Sequence, residues 1–198
     1  MTSSTLITTI FEKTLATELS IRDFNIRKVI ALVDKEIKNE QKESLENLKK
    51  TFNNIIEFKI EKVGLYEILD TAKEVVEIIR SIPKDETIFV DISQSVKSQA
   101  IGVLFACYRE SERINKIVYW TKDKKMVLLP KLSLQVDNDK IKILKKIQPS
   151  ANLTELADDL KMSRTTLYRH LENLESLGMI IKNENGYAVT EAGNIALL

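Results

Sequence analysis

The chain has 198 residues, 43% hydrophobic and 30% charged, with a net charge of +1, a length that suits one large domain or two of roughly 100–150 residues or fewer. One cysteine, Cys107, excludes an internal disulfide framework, and a single histidine leaves no Cys/His cluster for a metal. No apolar run reaches the ~18–20 residues of a membrane span, and the start Met-Thr-Ser-Ser-Thr lacks a basic signal region, so a cytoplasmic protein without a membrane partner is expected.

Residues 5 to 129 alternate β-branched runs with longer helical patterns, the signature of βα units that build a parallel sheet covered by helices. Strands are expected at Thr5–Ile10, Lys28–Val33, Ile56–Lys62, Thr87–Ile92, Lys116–Thr121 and Lys125–Leu129, the last two as a hairpin around Lys122 and Asp123. Helices are expected near Glu12–Ser20, Lys38–Phe52, Leu65–Ile82 and Ser95–Glu110. Leu65, Leu69, Ala72, Val76 and Ile79 form the inner face of the third, and Pro83 prevents it continuing. The inner face of the fourth reads Val96, Ala100, Val103, Leu104 and Cys107, which makes Cys107 a buried structural thiol.

Pro130 ends this pattern, and no consistent period follows until a second one begins. We therefore expect one domain at residues 1–130, a linker at 131–138 and a second domain at 139–198. In the second, Asp137 or Asn138 caps a helix that runs through Ile147 and is broken by Pro149. Thr154 opens a short helix from Glu155 to Leu160, and a turn at Lys161 and Met162 leads to a longer helix. Ser163 caps that helix, Leu167, Leu171 and Leu174 are its buried stripe, and Gly178 is its left-handed stop. Met179–Lys182 and Gly186–Thr190 are two short strands around Asn183 to Asn185, and Glu191–Leu198 is a last helix.

Helix, short turn, helix and hairpin is the winged helix-turn-helix order, in which the second helix of the pair enters the DNA major groove. Leu153 to Gly193 resembles archaeal and bacterial winged-helix regulators residue by residue. The first two turns of the recognition helix carry no acidic residue before Glu172. Ser163, Arg164, Thr165, Thr166, Tyr168 and Arg169 are its candidate DNA-binding residues, with Lys182 on the wing as a backbone clamp. From Asp139 onward eight Lys or Arg balance eight Asp or Glu, so DNA affinity must come from local placement and from two copies rather than from bulk charge. Arg164 and His170 also fit a loose Arg-x4-6-His ribonuclease pattern, but both lie on a helix that the surrounding pattern already explains.

In the first domain the glycine-rich phosphate loops are missing, with no glycine before Gly64. An open sheet still binds ligands beyond the carboxyl ends of its strands. After the fourth strand, Asp91-Ile92-Ser93-Gln94-Ser95-Val96-Lys97 is a hydroxyl-rich turn running into a helix. It reads either as an anion site or as a capped helix with a solvated lysine.

This stretch resembles the D-x-[ST]-x-G-x-[KR] signature of CRISPR-associated Rossmann-fold (CARF) domains, with Ser95 where the family has glycine. The resemblance, with a winged helix downstream, implies a CARF transcriptional regulator. Its fold class is α/β: a Rossmann-like parallel sheet with flanking helices and a C-terminal hairpin, plus a small winged helix-turn-helix domain. It further implies a homodimer that senses a cyclic oligoadenylate, a cyclic oligonucleotide ligand, across its two-fold axis, with no other cofactor and no catalysis. Carried over, Ser93, Gln94, Ser95 and Lys97 line the ligand, and Thr8, Thr9 and Ile10 face it. Two such subunits would bind a palindromic operator in double-stranded DNA. The alternatives are a ring nuclease that cuts the cyclic oligoadenylate, Lys97 stabilising the departing phosphate, and a ligand-free winged-helix interaction module.

Overall fold

The computed structural model describes residues 3–52, 55–132, 136–147, 152–184 and 186–198. They divide into two compact units, residues 1–133 and 134–198. Pro149, the hairpin tip at Asn185 and part of the expected linker lie outside the described residues.

The first unit alternates strand and helix: β1 (Ser4–Thr9), α1 (Leu15–Asp23), β2 (Lys28–Asp34), α2 (Asn39–Thr51), β3 (Glu57–Val63), α3 (Ile68–Ser81), β4 (Thr87–Asp91), α4 (Lys97–Arg109), β5 (Ile114–Trp120) and β6 (Met126–Leu129). The sheet order is β3-β2-β1-β4-β5-β6. β1 to β5 pair in parallel, and β6 returns antiparallel along β5. The order reverses between β1 and β4. Right-handed crossovers then put α1 and α2 on one face of the sheet and α3 and α4 on the other.

Both faces are apolar, which is why the central strands read as near-continuous hydrophobic runs. Leu6, Val29, Ala31 and Val33 pack with Ile21 of α1 and with Leu45 and Leu48 of α2. Ile7, Ile30 and Leu32, which alternate to the opposite face, are equally buried.

The helix starts move inward from the sequence expectation, and α1 also runs on to Asp23 rather than ending at Ser20. α1 begins at Leu15 rather than Glu12, because residues 11–14 form the loop leaving β1. α3 begins at Ile68, leaving Leu65 in a loop whose carbonyl accepts a hydrogen bond from Ser98 Oγ at 2.6 Å. The inner face of α4 is also rotated. Its buried residues are Gln99, Gly102, Val103, Ala106 and Cys107, whereas Ala100 and Leu104 are only partly covered. The cause is a close crossing with α3: a Cβ on Gly102 would lie 2.7 Å from Thr71 Cβ and 2.9 Å from the Ile68 carbonyl. Cys107 is buried and unpaired, and burial pushes its thiol up to about 12.

The second unit runs α5 (Asn138–Lys146), α6 (Leu153–Asp159), α7 (Arg164–Ser176), β7 (Ile180–Asn183), β8 (Gly186–Val189) and α8 (Glu191–Ala196). β7 and β8 pair antiparallel. Leu167, Leu171 and Leu174 of α7 pack with Ile143 and Leu144 of α5, Leu156 of α6, and Ile180 and Tyr187 of the hairpin. Caps define the ends. Asp137 accepts from the Lys140 amide, and Thr190 from the Gly193 amide. Asn152, not Thr154, caps α6, accepting from the Thr154 amide at 2.9 Å, so that helix starts two residues earlier than expected. Gly178, at φ 68°, ends α7 with its amide donating to the Glu175 carbonyl.

Gly102→Ala would gain about 1 kcal/mol of helix propensity but overpack the α3–α4 crossing at a cost of about 1–3 kcal/mol. We expect a lower urea midpoint for the first unit, followed through Trp120 fluorescence. An unchanged or raised midpoint would show that the crossing has room to relax.

Candidate functional site at the sheet switch point

Parallel strands end their polar groups at their carboxyl edge, and where the strand order reverses the flanking helices leave a crevice. Here that place lies between the ends of β1 and β4. Asp91 closes β4 and is 1% exposed. Its Oδ2 accepts from Ser20 Oγ of α1 at 2.7 Å, and its Oδ1 accepts both the Ser93 amide at 2.9 Å and the Ser93 hydroxyl. Trp120, at the end of β5, completes the network, donating its indole N–H to Ser20 Oγ and its amide N–H to Ser93 Oγ, each at 2.8 Å. Burial pushes the Asp91 carboxyl above the usual carboxylate range, against these hydrogen bonds.

The network alters the roles of the residues singled out from the sequence. Ser93 and Gln94 do line a cleft of about 520 Å³. The Ser93 hydroxyl, however, spends its proton on Asp91 and accepts from Trp120, and Ser95 Oγ donates to the Ile92 carbonyl at 2.7 Å. Neither hydroxyl keeps a proton for an anion. Lys97 is exposed at the first residue of α4, whose N-cap Val96 provides no side-chain cap.

Thr8, Thr9 and Ile10 require correction, because their side chains are buried rather than presented to a ligand. Thr8 Oγ1 is paired with Thr17 Oγ1 at 3.1 Å, and Ile10 is packed in the α2-side core. Thr8 and Thr9 close β1, and α1 and α2 cover this end of the strand, with Thr17 against Thr8 and Gln41 Nε2 donating to the Ile10 carbonyl at 2.8 Å. The surface at this edge belongs instead to Phe11, Glu12 and Lys13 from the loop after β1 and to Lys122 and Lys124 from the β5–β6 turn. The sequence pattern missed these, along with Ser20 and Trp120. Only the single tryptophan was a visible signal, and nothing local to it says which loop it braces.

In the second unit, Ser163 Oγ accepts the Thr166 amide at 3.1 Å and pairs with Thr166 Oγ1 at 2.8 Å, so both hydroxyls serve the cap of α7. Arg164, Thr165, Tyr168 and Arg169 are exposed on that helix, Tyr168 at 48%. Lys182 on β7 is exposed, with Nζ 5.8 Å from the centre of the Tyr187 ring. Among the described residues Arg164, Arg169 and Lys182 form no ion pair, which leaves their charge available to a polyanion. Glu172 and Glu184 border this surface.

The Asp91 grip has a pH signature. Because the folded-state carboxyl is held above its unfolded value of about 3.9, its stabilising protonation is complete below that value and is lost as pH rises through the folded one. The stability of the wild-type chain relative to Asp91→Asn should therefore fall from about pH 3 upward across that interval. Urea titrations at several pH values that give a flat difference would disprove a raised carboxyl.

Comparison with known proteins places these features. No curated protein sequence matches the chain. Residues 7–126 match the family profile described as HFX_2341_N-like, N-terminal, and residues 137–188 match an HTH domain profile. Among solved structures, Can2 from Sulfobacillus thermosulfidooxidans in complex with cyclic tetra-adenylate is 13% identical, with a TM-score of 0.51 over 97% of this chain and 62% of that one. Protein VC1899 from Vibrio cholerae is 10% identical, with a TM-score of 0.52 over 98% of this chain and 64% of that one. The chain thus spans less than two thirds of either structure, and at these identities the likeness is one of fold. With more than half of its residues inside the first profile, the chain belongs to the HFX_2341_N-like family, as a CARF-like N-terminal domain joined to an HTH domain.

Proposed function

We propose that the chain is a homodimeric transcriptional regulator of a CRISPR-Cas system that senses a cyclic oligoadenylate through its CARF-like unit and binds a palindromic operator through two HTH units. The carrying observation is the presence in one chain of a cleft at the sheet switch point and a recognition helix whose exposed arginines form no ion pair among the described residues. The complex of the Can2 structure with cyclic tetra-adenylate favours a ring of this kind as the effector. Gln94, Lys97 and the backbone around Ser93 and Ser95 face the ligand on this reading. Arg164, Thr165, Tyr168, Arg169 and Lys182 meet the DNA, while Ser163 and Thr166 fix the start of the helix. The domains are residues 1–130 and 139–198, joined by 131–138, and the protein works in the cytoplasm, where the operator is.

Pairing through the first unit is supported by α4, which is apolar nearly all round. Ile101 is 40% exposed on its outer side, and Leu104, Phe105 and Tyr108 are only half-covered. A helix apolar on both faces is normally buried on both. A two-fold dimer sets the DNA geometry, with half-sites about one helical turn, roughly 10 bp, apart or a multiple of it. A ligand on the axis acts only through different affinities for the two spacings of the recognition helices.

The test is a binding titration on upstream DNA with and without cyclic tetra-adenylate. A shift in operator affinity is expected, and no shift would remove the sensor role. Linear products at multiple turnover would replace it by a nuclease. Arg164→Ala with Arg169→Ala should cost about 1–3 kcal/mol for each arginine that pairs bidentately with a base, or flatten the salt dependence if the arginines bind phosphate. Unaltered affinity and salt slope would point to a protein-interaction module.

A further inference from the structure

We infer that the cleft beside Trp120 is a subsite for a single nucleotide unit, holding one aromatic base and its phosphate in each chain. This rests on the proposed nucleotide effector and states where, and by which groups, one unit of it is held.

The cleft joins three kinds of surface. Its wall is apolar: Leu15, Ala16 and Leu19 of α1 and the Trp120 side chain, with half-buried Phe11 at the mouth. Leu15 is 44% exposed there, an apolar side chain that a bound flat ring would cover. The rim is cationic, with Lys13 from the β1 loop and Lys122 and Lys124 from the β5–β6 turn, all exposed and none in an ion pair among the described residues. Between wall and rim lies Gln94. Its side-chain amide makes no hydrogen bond among the described residues, and it can offer a donor and an acceptor together, the pairing that an adenine edge requires. Apolar walls with a few convergent polar groups are the usual make-up of a small-molecule site, and a volume of about 520 Å³ falls in the usual range of roughly 300–1,000 Å³. That is room for one base with its sugar and phosphate, not for a whole oligonucleotide ring, so the remainder of a ring must lie outside the cleft.

The turn is built to hold its lysines in place. Thr121 N donates to the Lys125 carbonyl at 2.9 Å, Lys124 N to the Thr121 carbonyl at 3.0 Å, and Lys125 N to Thr121 Oγ1 at 3.1 Å. Lys124 itself sits at φ 58°, in the left-handed region that suits glycine and costs a lysine energy. The Trp120 ring is largely buried, 9% exposed, and pinned through its indole N–H to Ser20, so the part of it that lines the cleft is held in place.

Trp120 is the only tryptophan in the chain, so its fluorescence reports occupancy directly. The full-length chain and the double variant Lys122→Ala, Lys124→Gly would be titrated with adenosine monophosphate and with cyclic tetra-adenylate, by Trp120 emission and by calorimetry. Both probes are expected to change Trp120 emission in the wild type and to bind the variant about tenfold or more weakly. The variant's melting temperature should be unchanged or raised, because glycine relieves the turn. Gln94→Ala should narrow the preference for adenosine over uridine monophosphate. If the ring binds with no Trp120 change and with equal affinity to the variant, the subsite is overturned and the sensor reading survives. If the monophosphate binds lysine-dependently and the ring does not, the subsite stands and the sensor reading falls. Binding of neither overturns both.

Discussion

The first unit depends on one carboxylate kept out of water. Asp91 is held where β4 stops, and the groups that satisfy it come from α1, from the loop after β4 and, through them, from β5. Hydrogen bonds to a charged group contribute about 1.5–3 kcal/mol each, and at Asp91 they offset only part of the cost of burying the charge, since burial still raises the carboxyl. A chain that must satisfy this group has little choice about the path of residues 91–95. The same bonds that shape the turn also consume the serine protons there, so on the proposed reading a ligand at this edge would meet backbone, Gln94 and neighbouring lysines. The Asp-x-Ser motif acts here as a brace first, and as a ligand surface only through the shape that it sets.

The second unit solves a different problem with little charge to spare. From Asp139 onward its eight basic and eight acidic residues cancel, so the field around it does not favour DNA as a whole. What distinguishes α7 is placement. Its apolar stripe is fully committed to the core, its cap occupies the two hydroxyls at its start, and the groups exposed on its first two turns are two arginines, a threonine and a tyrosine. Weak affinity from one such tip is compatible with strong recognition from two, provided the first unit pairs and sets their separation. The exposed apolar side of α4 is consistent with that division of labour.

The alternation of strands and helices, the apolar stripes of α3 and α7, and the caps at Asp137 and Ser163 were all written in local patterns, because each depends on residues within a few positions of one another. The hydroxyl-rich turn after β4 was legible for the same reason, from seven consecutive residues. Misreadings arose where a distant neighbour decided the outcome, or where two adjacent candidates competed. Asn152 displaced Thr154 as a cap by such a choice, and Gly102 turned α4 because its missing side chain lets Thr71 approach. Thr8, Thr9 and Ile10 were covered by helices that cross β1 from elsewhere in the chain.

The sequence by itself determined which segments are helix or strand, that there are two pattern blocks, and that the recognition helix presents a cationic tip, because periodicity and capping are short-range. Only the tertiary structure decided the strand order and hence the switch point between β1 and β4. It also decided which hydroxyls are free, and that Trp120, Lys122 and Lys124 stand beside Gln94. Those outcomes join residues such as Ser20 and Trp120, 100 positions apart, and no local rule relates groups that meet only when the sheet closes its order.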